Sequence, residues 1–128
     1  MRVMMFVKGD PEPGALPSNE LLEEMGRFNE ELAKAGVLLD LAGLHPSAEG
    51  FRVRFSGGKP IVVDGPFTET KDIVAGYWIL RLNSMEEALE WAKRVPVHVP
   101  VEYGGEGDVE IRQIFEPEDF DDGPQGRT

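Results

Sequence analysis

Asp64-Gly65-Pro66-Phe67-Thr68-Glu69-Thr70-Lys71 places two carboxylates and an ammonium in one short run. A carboxylate such as Asp64 at a pocket mouth can act as a general base or accept hydrogen bonds from a ligand. Glu69 and Lys71 beside it would form a polar lining that orients an anionic or carbonyl-bearing ligand, with Lys71 as donor. The same residues also read as plain turn chemistry. Asp bonds to the backbone two residues on, Gly supplies a positive φ and Pro fixes the next φ, leaving Phe67 to plug the core. Thr68 to Lys71 would then be a solvated loop whose ion pairs contribute ~0–1 kcal/mol. The two readings can coexist, because loops held by a rigid sheet are where sites usually lie.

The chain has two histidines, His45 and His98. His45 follows an apolar run and precedes Pro46, which places it at a sheet edge, partly exposed. Histidine is the side chain best suited to proton transfer near neutral pH, so His45 joins Asp64 as an acid–base candidate. The ordinary alternative is a surface histidine at a strand end. His98 lies in Val97-His98-Val99-Pro100, apolar-flanked in a loop, and offers less. The two histidines make no metal-ligand spacing such as His-Glu-x-x-His, and Met4, Met5 and Met85 read as core. No motif demands a cofactor. Ser18, Ser47, Ser56 and Ser84 lack the Gly-x-Ser-x-Gly context of a nucleophile elbow. Gly57-Gly58-Lys59 lacks the spacing, the following Ser or Thr and the helix of a phosphate loop. Tyr77 and Arg81 share one strand face and could line a cleft, whereas Trp78 points the other way and reads as barrel or dimer packing.

The elements that must position these residues are well punctuated. Residues 2–7 form a short apolar run suited to a buried strand, and Gly9 to Gly14 is a loop dense in turn residues. A helix follows, capped by Ser18 or Asn19. Leu21, Met25, Phe28, Leu32 and Ala35 make its apolar stripe, and Gly36 is its natural C′ residue. Val37 to Leu44 is a second strand. Phe51, Val53 and Phe55 alternate with Arg52, Arg54 and Ser56, the pattern of a half-exposed strand. Gly57-Gly58 turns it into Lys59 to Asp64 as a hairpin. Ala75 to Leu82 is the strongest strand, with Tyr77, Ile79 and Arg81 on one face and Gly76, Trp78, Leu80 and Leu82 on the other. Ser84-Met85-Glu86-Glu87 is a capping box. It opens a helix whose buried stripe is Met85, Ala88, Leu89 and Ala92, extended by Val95 and stopped by Pro96. A loop over 96–108 leads to a last strand over Val109 to Phe115.

Removing the hairpin leaves βαββαβ, an α+β chain on the ferredoxin-like plan. Two helices cover one face of a largely antiparallel sheet. The other face is apolar and uncovered, which marks an interaction surface. A homodimer packed sheet to sheet, an α+β barrel, is the expected assembly.

The whole chain sets outer limits. Its 128 residues favour one domain, and 41% hydrophobic with 29% charged residues is a globular composition. There is no cysteine, so disulfides, thiolate metal sites and a cysteine nucleophile are excluded. The N-terminal apolar run is too short for a signal peptide or membrane helix, and a soluble cytoplasmic protein with no membrane partner is the expectation. Formal net charge is −11, with 13 Lys and Arg against 24 Asp and Glu. Nucleic-acid affinity rests on neutralising phosphates, so a nucleic-acid partner is not expected. Part of the acidity sits in a tail, residues 117–128, read as solvated and flexible beyond a domain over residues 1–116.

Three stretches carry a family likeness. They are Asp64 to Lys71 followed by Ile73-Val74-Ala75-Gly76-Tyr77-Trp78-Ile79, then Gly43-Leu44-His45-Pro46-Ser47, and Val109-Glu110-Ile111-Arg112. Together, in order over about residues 1–116, they resemble the YCII-related family in the branch called DGPF proteins. The resemblance implies a dimeric α+β barrel of ferredoxin-like subunits whose biochemical role is largely unassigned. Some relatives lie beside, or are fused to, sigma factors of the extracytoplasmic-function type. Members of the YCII type have been proposed to use a His and Asp pair in a cleft.

Two functions remain open on these grounds. One is a small-molecule site near the dimer interface, with Asp64 and His45 as the acid–base pair and Glu69, Lys71 and Tyr77 as ligand-binding groups. The other is a non-catalytic dimer that binds a protein or effector, which the resemblance would tie to sigma-factor regulation and in which the acidity would suit a basic partner; a structural domain without a dedicated ligand is the remaining, blander reading.

Overall fold

The computed structural model describes residues 1–14, 16–69, 72–96 and 108–120. The elements run β1 (Arg2–Lys8), α1 (Asn19–Lys34), β2 (Leu38–Gly43), β3 (Phe51–Ser56), β4 (Lys59–Asp64), β5 (Val74–Arg81), α2 (Met85–Lys93) and β6 (Val109–Gln113). Single 3-10 turns lie at Ser47–Glu49 and Pro117–Phe120. Among the described residues, four strands form one sheet in the order β2-β5-β1-β6, and β3 pairs only with β4 in a second sheet. All pairings are antiparallel. This is α+β architecture with the strand order of the ferredoxin-like plan and the hairpin set apart from it.

Alternation decides which face of the main sheet is covered. Val3, Met5 and Val7 of β1 are buried, as are Trp78 and Leu80 of β5. They pack with Leu21, Phe28 and Leu32 of α1 and Ala88 of α2 in one core. Trp78 meets the edge of Phe28 at 5.5 Å between ring centroids and donates its indole N–H to Asn29 Oδ1 at 2.8 Å. That bond satisfies the one polar group of a ring otherwise buried in apolar surroundings. On the opposite face Met4, Phe6, Tyr77 and Ile79 lie together in register and remain half-buried.

Both helices start where local chemistry dictates. Ser18 caps α1, its hydroxyl accepting from Leu21 N at 3.1 Å, and Gly36 adopts φ +74° just beyond the helix. Ser84 caps α2, accepting from Glu87 N at 3.2 Å. The return arm of the box differs from expectation, because Glu87 accepts from Asn83 N, one residue before the cap. Two apolar stripes are also narrower than expected. Ala35 is exposed, since it lies at the C-cap where the chain turns away. Met85 and Leu89 are exposed on α2, which instead rests on Ala88, Trp91 and Ala92. Trp91 wins because its ring reaches Phe28 at 6.2 Å across the interhelical space.

Pro117–Phe120 folds back so that Phe120 lies 4.8 Å from Phe115, and Glu116 forks with Arg2 at 2.9 and 3.1 Å. Among the described residues, no helix is long and apolar enough to cross a membrane.

Candidate functional site

The ends of β1, β2 and β4 meet at Ser47. Its backbone N–H donates to Asp10 Oδ1 at 2.8 Å and its hydroxyl donates to Asp10 Oδ2 at 2.5 Å. The same hydroxyl oxygen accepts from Phe67 N at 3.0 Å. Ser47 is the one buried polar side chain among the described residues, and these bonds satisfy it. The Asp64-Gly65-Pro66-Phe67 motif is therefore docked onto the loop that carries His45, and Asp10 holds that loop in turn.

The docking corrects the expected turn chemistry. Gly65 does not have a positive φ, and the Gly65–Pro66 bond is cis. Glycine is needed here for space, because a Cβ would collide with the Ser47 carbonyl oxygen. The Gly65 N–H donates to Gly50 O at 3.0 Å. Two residues after Asp64 stands Pro66, which has no N–H to offer its carboxylate, and the next donor, Phe67 N–H, goes to Ser47 Oγ. Phe67 is half-buried rather than a core plug, with the Arg52 guanidinium carbon 3.8 Å from its ring centroid.

Beside this knot lies a cleft of about 460 Å³ between the loop after β1 and the loop after β2. Pro11, Glu12, Leu16, Leu44, His45 and Glu49 are among its walls. That size suits a small molecule. His45 Nδ1 lies 3.2 Å from Glu49 Oε1, and both side chains are solvent-exposed. A carboxylate on one imidazole nitrogen orients the ring and leaves Nε2 to exchange a proton.

The sequence candidates are distributed as follows. His45 lines the cleft, but its ring partner is Glu49 and not Asp64. Asp64 ends β4 opposite Phe51, is exposed, and does not line the cleft. It adjoins Gly65 in the chain, as His45 lies two residues before Ser47. Glu69 is exposed, and its carbonyl accepts from Asp72 N at 2.8 Å. Tyr77 borders a separate apolar cavity of about 50 Å³ with Val7, Met25 and Trp78. Lys71 and His98 lie outside the described residues. Asp10, Glu12 and Glu49 were not singled out from the sequence. The spacing of four between His45 and Glu49 was a visible signal, whereas Asp10 and Ser47 are 37 residues apart and carried none. No group of three or more His, Asp or Glu side chains among the described residues could hold a metal ion.

The profile of the YCII-related domain matches residues 1–117. The chain belongs to the YCII-related family. The match covers the whole four-stranded sheet, both helices, the hairpin and the Ser47 knot. An uncharacterised protein of Rhizobium meliloti (strain 1021) is similar to this YCII-related chain, with 33% identity over 73 residues. That alignment covers 57% of this chain and 59% of the relative, so the chain spans under two-thirds of the relative's length.

Proposed function

We propose that this YCII-related protein is a homodimeric α+β barrel that binds a small polar molecule in the cleft beside Ser47 and acts on it by proton transfer. The observation that carries the reading is the His45–Glu49 pair, 3.2 Å apart on the cleft wall. His45 is the proton-transfer group and Glu49 orients it. Asp64, exposed beside Gly65 and outside the cleft, is the second carboxylate available to a ligand that reaches beyond the cleft. The half-buried apolar patch of Met4, Phe6, Tyr77 and Ile79 supports sheet-to-sheet pairing of two copies.

The test is a panel of small hydroxy, amino and carboxylic acids screened by the chemical shifts of the His45 ring. Compounds that move this resonance should fail to bind His45→Ala and Glu49→Gln proteins whose melting temperatures match the parent. Binding that survives both substitutions unchanged, or no compound acting at His45, would overturn the site.

A further inference from the structure

The β3–β4 hairpin stands apart from the main sheet and exposes both an apolar and a cationic face. Residues directly opposite in an antiparallel pair share a face, and the register is Phe51↔Asp64, Val53↔Val62 and Phe55↔Pro60 on one face. The other face pairs Arg52 with Val63, Arg54 with Ile61 and Ser56 with Lys59. Val63 is the one hairpin residue that is half-buried, and Arg52 lies over Phe67. Arg54 and Lys59 are exposed, so the cationic side is open as well. The apolar face looks outward, with Phe51 at 70%, Val53 at 53%, Phe55 at 74% and Val62 at 66% exposure.

Alternation normally buries the apolar face of a strand. A two-stranded sheet alone is also marginal in water. This hairpin nevertheless spends its whole apolar face on solvent in the single chain, so its stability requires a cover from outside.

We propose that the cover is a second copy of this chain, each hairpin clasping the body of the other. The inference rests on the homodimer reading above and names a contact beyond the sheet faces. Charge selects the occupant. The hairpin carries Arg52, Arg54 and Lys59 against the single carboxylate of Asp64, while the chain as a whole stands at −11. The body is accordingly strongly acidic, with Glu20, Glu23, Glu30 and Glu31 along α1 and Glu86, Glu87 and Glu90 along α2. A cationic arm with an apolar face matches such a surface and is repelled by basic ones. A two-fold pair also satisfies both arms at once, closing the assembly.

Sedimentation across a dilution series, with the full chain, tests this. The native protein should be a dimer, and Val53→Asp/Phe55→Asp should dissociate at concentrations at least tenfold higher, with unchanged helical circular dichroism. Hydrogen exchange provides a second readout on the unmodified protein. Amides of residues 51–64 should lose protection on dilution below the dimer's dissociation constant. A native dimer in which neither the substitution nor dilution affects these readouts would overturn the hairpin contact and leave the sheet-to-sheet dimer standing. A native protein that is monomeric throughout would overturn both.

Discussion

Ser47 and Asp10 are joined twice, backbone N–H to Oδ1 and hydroxyl to Oδ2, across 37 residues of chain. The carboxylate accepts both donors in a fork. The hydroxyl oxygen keeps a lone pair for Phe67 N. One small side chain therefore links the loop after β1, the loop after β2 and the motif after β4.

Ser47→Ala removes the centre of that link. Phe67 N–H loses its acceptor and Asp10 loses one donor in a part-buried place. A loss of ~1–3 kcal/mol is expected, the cost of unsatisfied buried groups. Urea unfolding measures it. A change within ~0.5 kcal/mol, typical of an indifferent surface site, would show that the knot does not hold the loops.

Two glycines separate close approach from helix propensity. Gly65→Ala drives a methyl into the Ser47 carbonyl and should cost ~3 kcal/mol or more, at or above the upper range of overpacking. Gly26 lies within α1 with nothing near its would-be Cβ. Gly26→Ala should instead raise stability by ~0.5–1 kcal/mol. Thermal and urea unfolding of the two variants should move in opposite directions.

Arg2 and Glu116 make stability depend on pH in acid. The hydrogen bond from Arg2, joined by its charge, holds the Glu116 carboxyl below the usual carboxylate value, and the same pairing raises Arg2. A depressed folded value means the tie is fully present above the unfolded chain's ionisation. It is lost as pH falls through the folded one. Native protein should exceed Glu116→Gln in stability at neutral pH, and the gap should close in strong acid. A gap that persists at the acid end would assign the effect to something other than ionisation.

Asp64→Asn addresses the motif's carboxylate. The residue is exposed at the end of β4, so unfolding should shift by less than ~0.5 kcal/mol. Ligands long enough to span from His45 past Gly65 should lose affinity, and short ones should not. Calorimetric titration of the two ligand lengths compares them directly. Equal loss for both, or loss for neither, would remove Asp64 from the site.

Much of the fold was legible because its rules act over a few residues. Ser18 and Ser84 mark helix starts, Gly36 marks a helix end, and Gly57-Gly58, at φ 59° and 80°, makes the hairpin turn. The alternation of Tyr77 and Ile79 against Trp78 and Leu80 separated the two sheet faces, but it took the tertiary structure to show that Trp78 packs under the helices against Phe28 rather than in a barrel or dimer contact. Acidity, the lack of cysteine and the Asp64 to Lys71 motif were likewise fully present in the chain. Tertiary structure alone decided the rest. The strand order β2-β5-β1-β6 brings the C-terminal ends of β1 and β2 to one end of the sheet, where Asp10 finds Ser47 and Gly65 finds the Ser47 carbonyl. Periodicity cannot report such contacts, because their partners lie tens of residues apart. The hairpin shows the same limit: alternation separated Phe51, Val53 and Phe55 from Arg52 and Arg54, but only tertiary structure sets the hairpin apart from the main sheet with both faces exposed.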